Sequence, residues 1–306
     1  MKPSIVIVGS AAIDMVIKTD YLPVPGETVL GGTFFMNPGG KGANQAVAAA
    51  RLNGNVIFIC KTGNDIFFGQ HAIELFGKEG IETSYMLSHA DMPSAVALIT
   101  VDKNAENCIV VAPGANATFF PEDLSKAKTI IEEASIILMQ LEIPLATVEY
   151  IANIAAEKGI RVVLNPAPAF PLSDELLKNI SIITPNEHEA EMLTGIKVTD
   201  INSAKEAAIY LHKKGVESVI ITLGAKGALV FDKNLFTHVP SIIVDAIDST
   251  AAGDIFNGAL VVALIEEKSI TEATAFACKA AALSVTRLGA QASAPYREEV
   301  DVFTTM

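Results

Sequence analysis

The sequence predicts an α/β fold: a central, mostly parallel sheet flanked by helices on both faces, with a small antiparallel β sheet beside it. Three observations carry this prediction. Short β-branched apolar runs recur along the chain, helical patterns lie between them, and two further strand pairs interrupt the alternation. Strands that alternate with helices indicate βαβ units, whose parallel sheet is covered on both faces.

The first strand is a β-branched run that ends at Gly9, a composition typical of a buried strand in a parallel sheet. Similar runs follow, and near the C-terminus two close strands and a short third one precede two long helices. The predicted strands are 4–9, 55–60, 135–139, 161–164, 180–183, 218–223, 228–232, 235–239 and 242–244. The predicted helices are 43–52, 67–79, 144–158, 187–193, 203–214, 252–266 and 271–286.

Two segments outside this rhythm have the pattern of antiparallel strand pairs. We expect some of their apolar side chains and strand edges to be exposed, so they could serve as a lid or as a surface that a second copy covers. We expect one domain, residues 1–306, with a discontinuous lid formed by about 14–36 and 95–112, and a homodimer through this lid. The paired residues are 14–19 with 28–36, and 95–101 with 107–112.

Composition excludes several classes of function. Half of the 306 residues are hydrophobic and 19% are charged, so the chain can bury a large core and is not intrinsically disordered. Lys and Arg total 22 against 35 Asp and Glu, which gives a formal net charge of −13. An acidic chain lacks the broad positive field that phosphate backbones require, so we expect neither a nucleic-acid nor a membrane partner.

Cysteine usage and hydropathy predict a cytoplasmic protein. Cys60, Cys108 and Cys278 are scattered, which suggests neither a disulfide framework nor a zinc site. The longest purely apolar run, residues 259–265, is too short to span a bilayer. An apolar stretch near the N-terminus is interrupted by a glycine and ended by Asp14, which fits a buried strand rather than a signal peptide.

A glycine cluster at residues 38–45 is the first candidate site. The chain contains neither GxGxxG nor GxxxxGK[ST], so a nucleotide would have to be bound by another device. Three glycines in four positions permit close approach of the backbone to a ligand at the start of a helix, where Lys41 and Asn44 add polar side chains. An ordinary glycine-rich turn before the helix explains the cluster equally well.

Small residues at 248–254 lead into the first long C-terminal helix and form the second candidate. Backbone amides at that helix start would be exposed where the helix dipole favours an anion. Asp254 is placed in the first turn to accept a proton from a hydroxyl that attacks a bound phosphoryl group. Alone, it would be explained as a charge that complements the dipole; with the glycine cluster it favours phosphoryl transfer. The amides concerned are those of Ala251, Ala252 and Gly253.

The two motifs, Gly-Gly-Lys-Gly-Ala-Asn at 39–44 and Asp-Ser-Thr-Ala-Ala-Gly-Asp at 248–254, resemble the two signatures of the ribokinase-like sugar kinase family. The resemblance covers nearly the whole chain. It implies the ribokinase-like fold and ATP-dependent transfer of a phosphoryl group to D-ribose, which gives ribose 5-phosphate and ADP. Further segments that agree in order are 139–142, 184–189, 222–227 and 285–299.

The resemblance implies a role for each motif. Asp254 would be the base that activates the sugar's primary hydroxyl, and the amides of residues 251–253 would hold the charge that develops on the transferred phosphoryl group. Asn186 and Glu189 would organise Mg²⁺ and the phosphates. The implied sugar site comprises Ala12, Asp14, Gly40, Lys41, Asn44, Glu142 and Asp254. The implied ATP site comprises Asn186, Thr222, Gly224, Ala225, Lys226, Gly227, Gly253 and Cys278.

A monovalent cation, normally K⁺, is also implied beside the anion-binding amides. An oxygen-only ligand set with one carboxylate suits a hard, weakly held cation. Its expected role is to order the loop, as an activator rather than a reactant. The implied ligands are Asp248, the backbone carbonyls of Thr250, Ser284, Arg287 and Gly289, and Ser293.

Two positions depart from the family pattern. Ala12 stands where the family's ribose kinases typically carry Asn, so one polar contact to the sugar is lost unless water or Ser10 replaces it. Loss of a hydrogen-bond donor keeps 2-deoxyribose or another furanose open as substrate. Cys278 stands where a His often lies near the adenine, and a small apolar contact can replace it.

Other functions stay open at this stage. A kinase for a fructose phosphate would need cations for the substrate's phosphate, and a nucleoside kinase would need an aromatic-lined base pocket. A catalytically inactive sugar sensor is a candidate from a different class. Such a sensor has no need of both Gly253 and Asp254, which are present.

Overall fold

The computed structural model describes residues 3–104 and 106–304. An eight-stranded sheet forms its centre. Numbered along the chain, the strands are β1 (Ser4–Val8), β2 (Ala12–Lys18), β3 (Thr33–Gly39), β4 (Asn55–Ile59), β5 (Lys61–Gly63), β6 (Leu87–His89), β7 (Ala95–Val101), β8 (Asn107–Ala112), β9 (Ile136–Met139), β10 (Arg161–Leu164), β11 (Ile182–Ile183), β12 (Ser218–Thr222), β13 (Ala228–Asp232) and β14 (Leu235–Val239). The order in the central sheet is β14-β13-β12-β11-β10-β9-β1-β4. The six neighbouring strands β12, β11, β10, β9, β1 and β4 pair in parallel. Strand β13 is antiparallel to both β12 and β14, so the sheet is mostly parallel, which confirms the predicted class.

Helices cover both faces of the central sheet. They are α1 (Lys41–Arg51), α2 (Gly69–Lys78), α3 (Lys128–Glu132), α4 (Leu145–Lys158), α5 (Asp174–Lys178), α6 (Glu187–Thr194), α7 (Ile201–Lys213), α8 (Ala252–Ile265), α9 (Ile270–Ser284) and α10 (Arg297–Val302). In β1, Ile5 and Ile7 join the core that contains α1, α2, α8 and α9, whereas Val6 and Val8 join the core that contains α4, α6 and α7. This alternation is the two-residue period of a strand buried on both faces.

The predicted helices are present, with ends that differ by at most two residues from those expected. Side-chain caps explain some of these ends. Asp200 accepts hydrogen bonds from the amides of Asn202 and Ser203 at the start of α7, and Ser269 and Glu272 form a capping box at the start of α9. The sequence did not predict α3, α5 and α10, because five or six residues carry too little periodicity.

A second sheet of four strands has the order β3-β2-β7-β8. The pairs β2–β3 and β7–β8 are antiparallel as predicted, but β2 and β7 are parallel, so the sheet as a whole is mixed. The predicted strand 28–36 is wrong at its start, since β3 begins at Thr33. Gly31 and Gly32 have φ of 112° and 96°, outside the extended region.

The predicted strand at residues 242–244 does not form. The central sheet ends at β14, and this apolar run does not add to its free edge. Ile243 is 92% exposed instead. Among the residues that the structure describes, no helix has the length and apolar character needed to cross a membrane.

Helices α1 and α8 cross at backbone distance, and Gly258 makes this possible. A Cβ atom added at Gly258 would lie 2.7 Å from Ala48 Cβ, 2.8 Å from the Gln45 carbonyl oxygen and 3.0 Å from the Ala49 amide. The contact brings the first turns of both helices to the same edge of the central sheet.

We expect Gly258→Ala to destabilise the protein by about 1–3 kcal/mol, because the methyl group overpacks the α1–α8 contact and outweighs its helix-propensity gain of about 1 kcal/mol. Urea unfolding measures the change. Gly77→Ala is the matched control, since Gly77 also lies inside a helix and a Cβ there meets no atom within 4 Å. It should stabilise the protein by about 0.5–1 kcal/mol. Equal effects of both substitutions would contradict the close crossing.

Candidate active site

Polar side chains gather where the parallel strands end. Ser10 follows β1, Gln140 and Glu142 follow β9, Asn165 follows β10, and Thr184 follows β11. The carboxyl ends of parallel strands share one edge of the sheet, which is where α/β folds bind ligands. Because α1 and α8 begin at this edge as well, the two sequence motifs meet there.

Asp254 lies in the first turn of α8 and is only 5% exposed. Asn44 Nδ2 donates to its Oδ2 and Gln45 Nε2 donates to its Oδ1, both at 2.9 Å. Burial raises the pKa of Asp254 above the ordinary aspartate value, against Lys41 and the two amides, which lower it. The sequence predicted Asn44 and Asp254 as site residues, whereas Gln45 was missed.

The glycines of the first motif serve the protein's own packing. A Cβ atom added at Gly39 would clash with the Asp14 carboxylate, and one added at Gly40 would clash with the Ala12 amide. A Cβ atom at Gly42 would lie 2.6 Å from the Ser10 amide nitrogen. The prediction that these glycines admit a ligand stays a prediction, and they have a packing role beside it. They let the start of α1 rest on the segment that joins β1 to β2.

Glu142 is held against the start of α1. Its Oε2 accepts hydrogen bonds from Ser10 Oγ at 2.5 Å and from the Lys41 amide at 2.9 Å. Ser10 Oγ also accepts a bond from the Gly42 amide at 3.3 Å. Ser10 thus orients a predicted sugar residue, and its hydroxyl proton is already used in this way.

Carboxylates surround Lys41. Burial lowers the pKa of the Lys41 ammonium, but Asp254, Glu142 and Glu189 raise it, and the net pKa lies above the ordinary lysine value. Burial, together with Glu142 and Asp254, raises the pKa of Asp14 to about 6. The predicted sugar site is therefore a compact group of carboxylates around one cation.

Asn44 completes this group. Its Nδ2 is bonded to Asp254, while its buried Oδ1 has no hydrogen-bond partner among the described residues. A buried acceptor without a partner is unfavourable, so this oxygen is suited to a ligand hydroxyl. Ala12 is buried in β2, beside Asp14 in the sequence and paired with Gly39 in the sheet.

The start of α8 has no side-chain cap, and its N-cap residue Ala251 has left-handed backbone angles, with φ of 60°. The Thr250 hydroxyl bonds Asp248 instead of capping the helix. Gly253 is exposed, as the predicted anion site requires. The Ala252 amide donates to the Ser249 carbonyl at 3.2 Å, so an anion there would have to replace that bond.

A cleft of about 710 Å³ opens beside this helix start. Lys226 was predicted as part of the ATP site but does not line the cleft; its carbonyl oxygen lies 2.8 Å from His238 Nε2. The other predicted ATP residues line it, namely Asn186, Thr222, Gly224, Ala225, Gly227, Gly253 and Cys278. The sequence missed the apolar wall, which includes Ile242, Ile243, Val244, Ala281 and Val285. In the sequence, only the apolar run 242–244 indicated this wall.

Asn186 and Glu189 form a capping box at the start of α6. Asn186 Oδ1 accepts a bond from the Glu189 amide at 2.8 Å, and Glu189 Oε2 accepts one from the Asn186 amide at 2.9 Å. Burial raises the pKa of Glu189, although the bond from Asn186 and the charge of Lys41 lower it. The described residues contain no cluster of three His, Cys, Asp or Glu side chains suited to a metal ion.

Two loops that carry the predicted cation ligands are bonded together. The Gly289 amide donates to Asp248 Oδ2 at 2.9 Å, and the amides of Ile247 and Asp248 donate to the Val285 carbonyl. Partial burial raises the pKa of Asp248, but the hydrogen bonds from Thr250 and Gly289 lower it by more. The net pKa lies below the ordinary aspartate value, so the carboxylate stays ionised. The Ser293 hydroxyl donates to the Ala290 carbonyl, which leaves its oxygen able to face a cation, and the Ser284 carbonyl accepts a bond from the Arg287 amide at 3.0 Å.

Arg51, in the last turn of α1, connects this helix to the second of these loops. Its guanidinium pairs with Glu79 and donates to the carbonyls of Gln291 and Ala294 at 2.7 and 3.0 Å. The side chain of Arg287, whose carbonyl is a predicted ligand, pairs with Glu299 at 2.6 Å.

Comparison with known proteins identifies the family. The model of the pfkB family of carbohydrate kinases matches residues 2–297. The chain belongs to this family. A ribokinase of Haemophilus influenzae is 48% identical over 299 residues, which are 98% of this chain and 97% of the relative.

Two further comparisons extend this result. A deoxyribokinase of Salmonella typhimurium is 37% identical over 303 residues, which are 99% of both chains. The structure of an Arabidopsis thaliana ribokinase complexed with ribose and ATP superposes on this carbohydrate kinase with a TM-score of 0.93, at 33% identity, and the match covers 99% of this chain and 100% of that one.

The raised pKa of Asp14 predicts a stability cost for this kinase in the absence of sugar. An aspartate with a folded-state pKa of about 6 binds a proton more tightly in the folded than in the unfolded chain. Stability is therefore lost as pH rises from about 4 to about 6, and the full cost persists above that. We expect Asp14→Asn to stabilise the protein by about 1–3 kcal/mol at pH 8, with the gain vanishing near pH 4. Urea unfolding at both pH values measures it.

Asp20→Asn is the control for this experiment, since Asp20 is an exposed aspartate near the same strand. It should change stability little at either pH. If Asp14→Asn were no more stable than the parent at pH 8, the ionised Asp14 carboxylate would not destabilise the folded protein, which would contradict its raised pKa.

Proposed function

We propose that this carbohydrate kinase transfers the γ-phosphoryl group of ATP to the primary hydroxyl of D-ribose, giving ribose 5-phosphate and ADP. The observation that carries the proposal is the position of Asp254. Its carboxylate is bonded to Asn44 from the sugar side, and it lies one residue after Gly253, which lines the cleft. The ribokinase relative at 48% identity and the structure with ribose and ATP support this choice of substrates.

Asp254 acts as the base in this reaction. Both its oxygens accept one amide bond and each retains a lone pair, so a sugar hydroxyl can transfer its proton there as the oxygen attacks the phosphorus. Burial raises the affinity of this carboxylate for the proton. The amides at the start of α8 have no capping side chain, so they can stabilise the charge on the transferred group, with the Ala252 amide exchanging its bond to the Ser249 carbonyl for one to the anion.

The sugar side favours a neutral substrate. Asp14, Glu142 and Asp254 are acceptors for hydroxyl protons, and Asn44 Oδ1 is a fourth. Lys41 is the cation near these groups, and the charges of Asp254, Glu142 and Glu189 act on it. A sugar that already carries a phosphate would be repelled here, which argues against a fructose phosphate as substrate.

Mg²⁺ and K⁺ belong to the proposal as well. Mg²⁺ would neutralise the ATP phosphates, with Asn186 and Glu189 near it, since such ions are bound largely through phosphates and water. K⁺ would lie among Asp248, Ser293 and neighbouring carbonyls, because an ionised carboxylate and neutral oxygens suit it. ADP release that is equal in potassium and choline chloride would argue against the potassium site.

A homodimer through the second sheet is also proposed. Ile109, Val110 and Val111 are more than half exposed on β8, whose outer edge has no partner strand within the described residues. A second copy could cover this surface. Sedimentation at working concentration should give twice the mass of the chain; the mass of a single chain would contradict it.

Unpaired thiols and the use of ATP support our proposal of a cytoplasmic location.

2-Deoxyribose is the second candidate substrate. It is favoured by Ala12, which offers no side-chain hydrogen bond to the sugar, and by the deoxyribokinase relative at 37% identity. Ribose is preferred because the ribokinase relative is more similar to this chain.

ADP release across a panel of sugars tests the function. Ribose should support the highest kcat/KM, and Asp254→Asn should lower kcat by about 10²–10⁴-fold, because the base is lost. Calorimetry on the variant should still show ATP binding, which controls for folding. Unchanged turnover in the variant would rule out the proposed mechanism.

Ala12→Asn should raise the ratio of kcat/KM for ribose over 2-deoxyribose by about tenfold, the effect of one added hydrogen bond. Ala12→Leu has a similar side-chain volume without polar atoms and serves as the control. If both variants moved the ratio equally, volume rather than hydrogen bonding would determine sugar preference at this position.

A further inference from the structure

A row of buried polar side chains extends from Asp254 into the interior. Its five members are at most 6% exposed and come from five different segments. Buried polar groups are unfavourable unless they are hydrogen-bonded, so the row needs an explanation beyond packing. The members are Gln45 in α1, Gln140 after β9, Asn165 after β10, Thr184 after β11 and Asn257 in α8.

Asp254 determines the direction of the hydrogen bonds. An ionised carboxylate only accepts, so Gln45 Nε2 donates to Asp254 Oδ1, and it also donates to Asn165 Oδ1 at 3.1 Å. Gln45 Oε1 then accepts a bond from Gln140 Nε2 at 2.6 Å. Both N–H groups and the carbonyl of the Gln45 amide are therefore bonded within the protein.

The far end of the row returns to the helix that carries Asp254. Asn165 Nδ2 lies 3.5 Å from the Thr184 carbonyl, and Thr184 Oγ1 donates to Asn257 Oδ1 at 2.7 Å. Asn257 Nδ2 donates to the Gly253 carbonyl at 2.8 Å. The base and the first turn of α8 are thus held by one bonded set of side chains.

Gln45 differs from its neighbour Asn44 in one decisive respect. Asn44 Oδ1 has no partner among the described residues, so it can accept a bond from a substrate. Gln45 is fully buried and its donors are already used, so it has no group to offer a substrate.

We propose that Gln45 is a positioning residue for phosphoryl transfer, which holds the Asp254 carboxylate ionised and directed towards the sugar hydroxyl. The proposal rests on the role of Asp254 as base given above. Gln140 supports Gln45 in turn, because its amide fixes which end of Gln45 faces the carboxylate.

The charges around Asp254 set the sign of the expected pH effect. Lys41 faces it from α1, Glu142 from the segment after β9, Asp14 from β2 and Glu189 from α6. Burial raises the pKa of Asp254, whereas Lys41 and the two bonded amides lower it. Removing one amide therefore raises this pKa, and the base is lost by protonation at a higher pH.

Gln45→Met is the direct test, since methionine has a similar length and no hydrogen-bonding group. We expect kcat at neutral pH to fall roughly 10–100-fold, with KM for the sugar nearly unchanged. The acidic limb of the kcat–pH profile should move to higher pH. In the ligand-free protein, the carboxyl signal of Asp254, followed by ¹³C NMR and assigned with Asp254→Asn, should titrate at a higher pH as well.

Gln140→Met leaves both bonds to Asp254 in place and should move the acidic limb in the same direction by a smaller amount. It decides the question if Gln45→Met does not fold. Thr147→Val is the control, because it removes another buried hydrogen bond, at 2.6 Å to the Phe119 carbonyl, in α4, which packs on the opposite face of the central sheet from α8. It should leave the acidic limb unchanged.

An unmoved acidic limb and an unmoved Asp254 titration in the Gln45 and Gln140 variants would overturn the proposal, as would a loss confined to KM. The NMR titration needs no sugar, so it separates failure of this proposal from failure of the proposed function. The latter would show as absence of ribose-dependent ADP release in the parent protein.

Discussion

The close crossing of α1 and α8 is the constraint on which the site depends. Gly258 lets the two helices meet at backbone distance, and their first turns then supply the amides of Asn44 and Gln45 to the Asp254 carboxylate. The glycines at the start of α1 have a matching role against the β1–β2 segment. Small residues in both motifs thus determine where the polar side chains lie.

The site separates two electrostatic environments over a short distance. Carboxylates around one lysine form the side that would bind an uncharged sugar, and the uncapped start of α8 forms the side that would face phosphates. The net charge of −13 describes neither side. It disfavours a polyanion, whose binding scales with summed charge, but local dipoles and bound cations decide whether one nucleotide binds.

Much of this arrangement could be predicted from the sequence. The β-branched runs predicted the central strands. The two motifs predicted Asn44 and Asp254 as site residues, and their side chains are hydrogen-bonded in the structure. The run 242–244 was misread because an apolar wall of a cleft and a buried strand have the same composition. The parallel pairing of β2 with β7 has no local signal, since it joins segments about eighty residues apart.

Gln45 was missed for a related reason. One glutamine in a helix has no distinctive pattern, and its importance lies in partners that the fold brings to it. The same long separation matters during synthesis. Gln45 and Asp254 are 209 residues apart in the chain. Until α8 has left the ribosome, the amides of α1 lack their carboxylate partner, so the nascent chain has no assembled site, and folding of the complete chain must close this long loop.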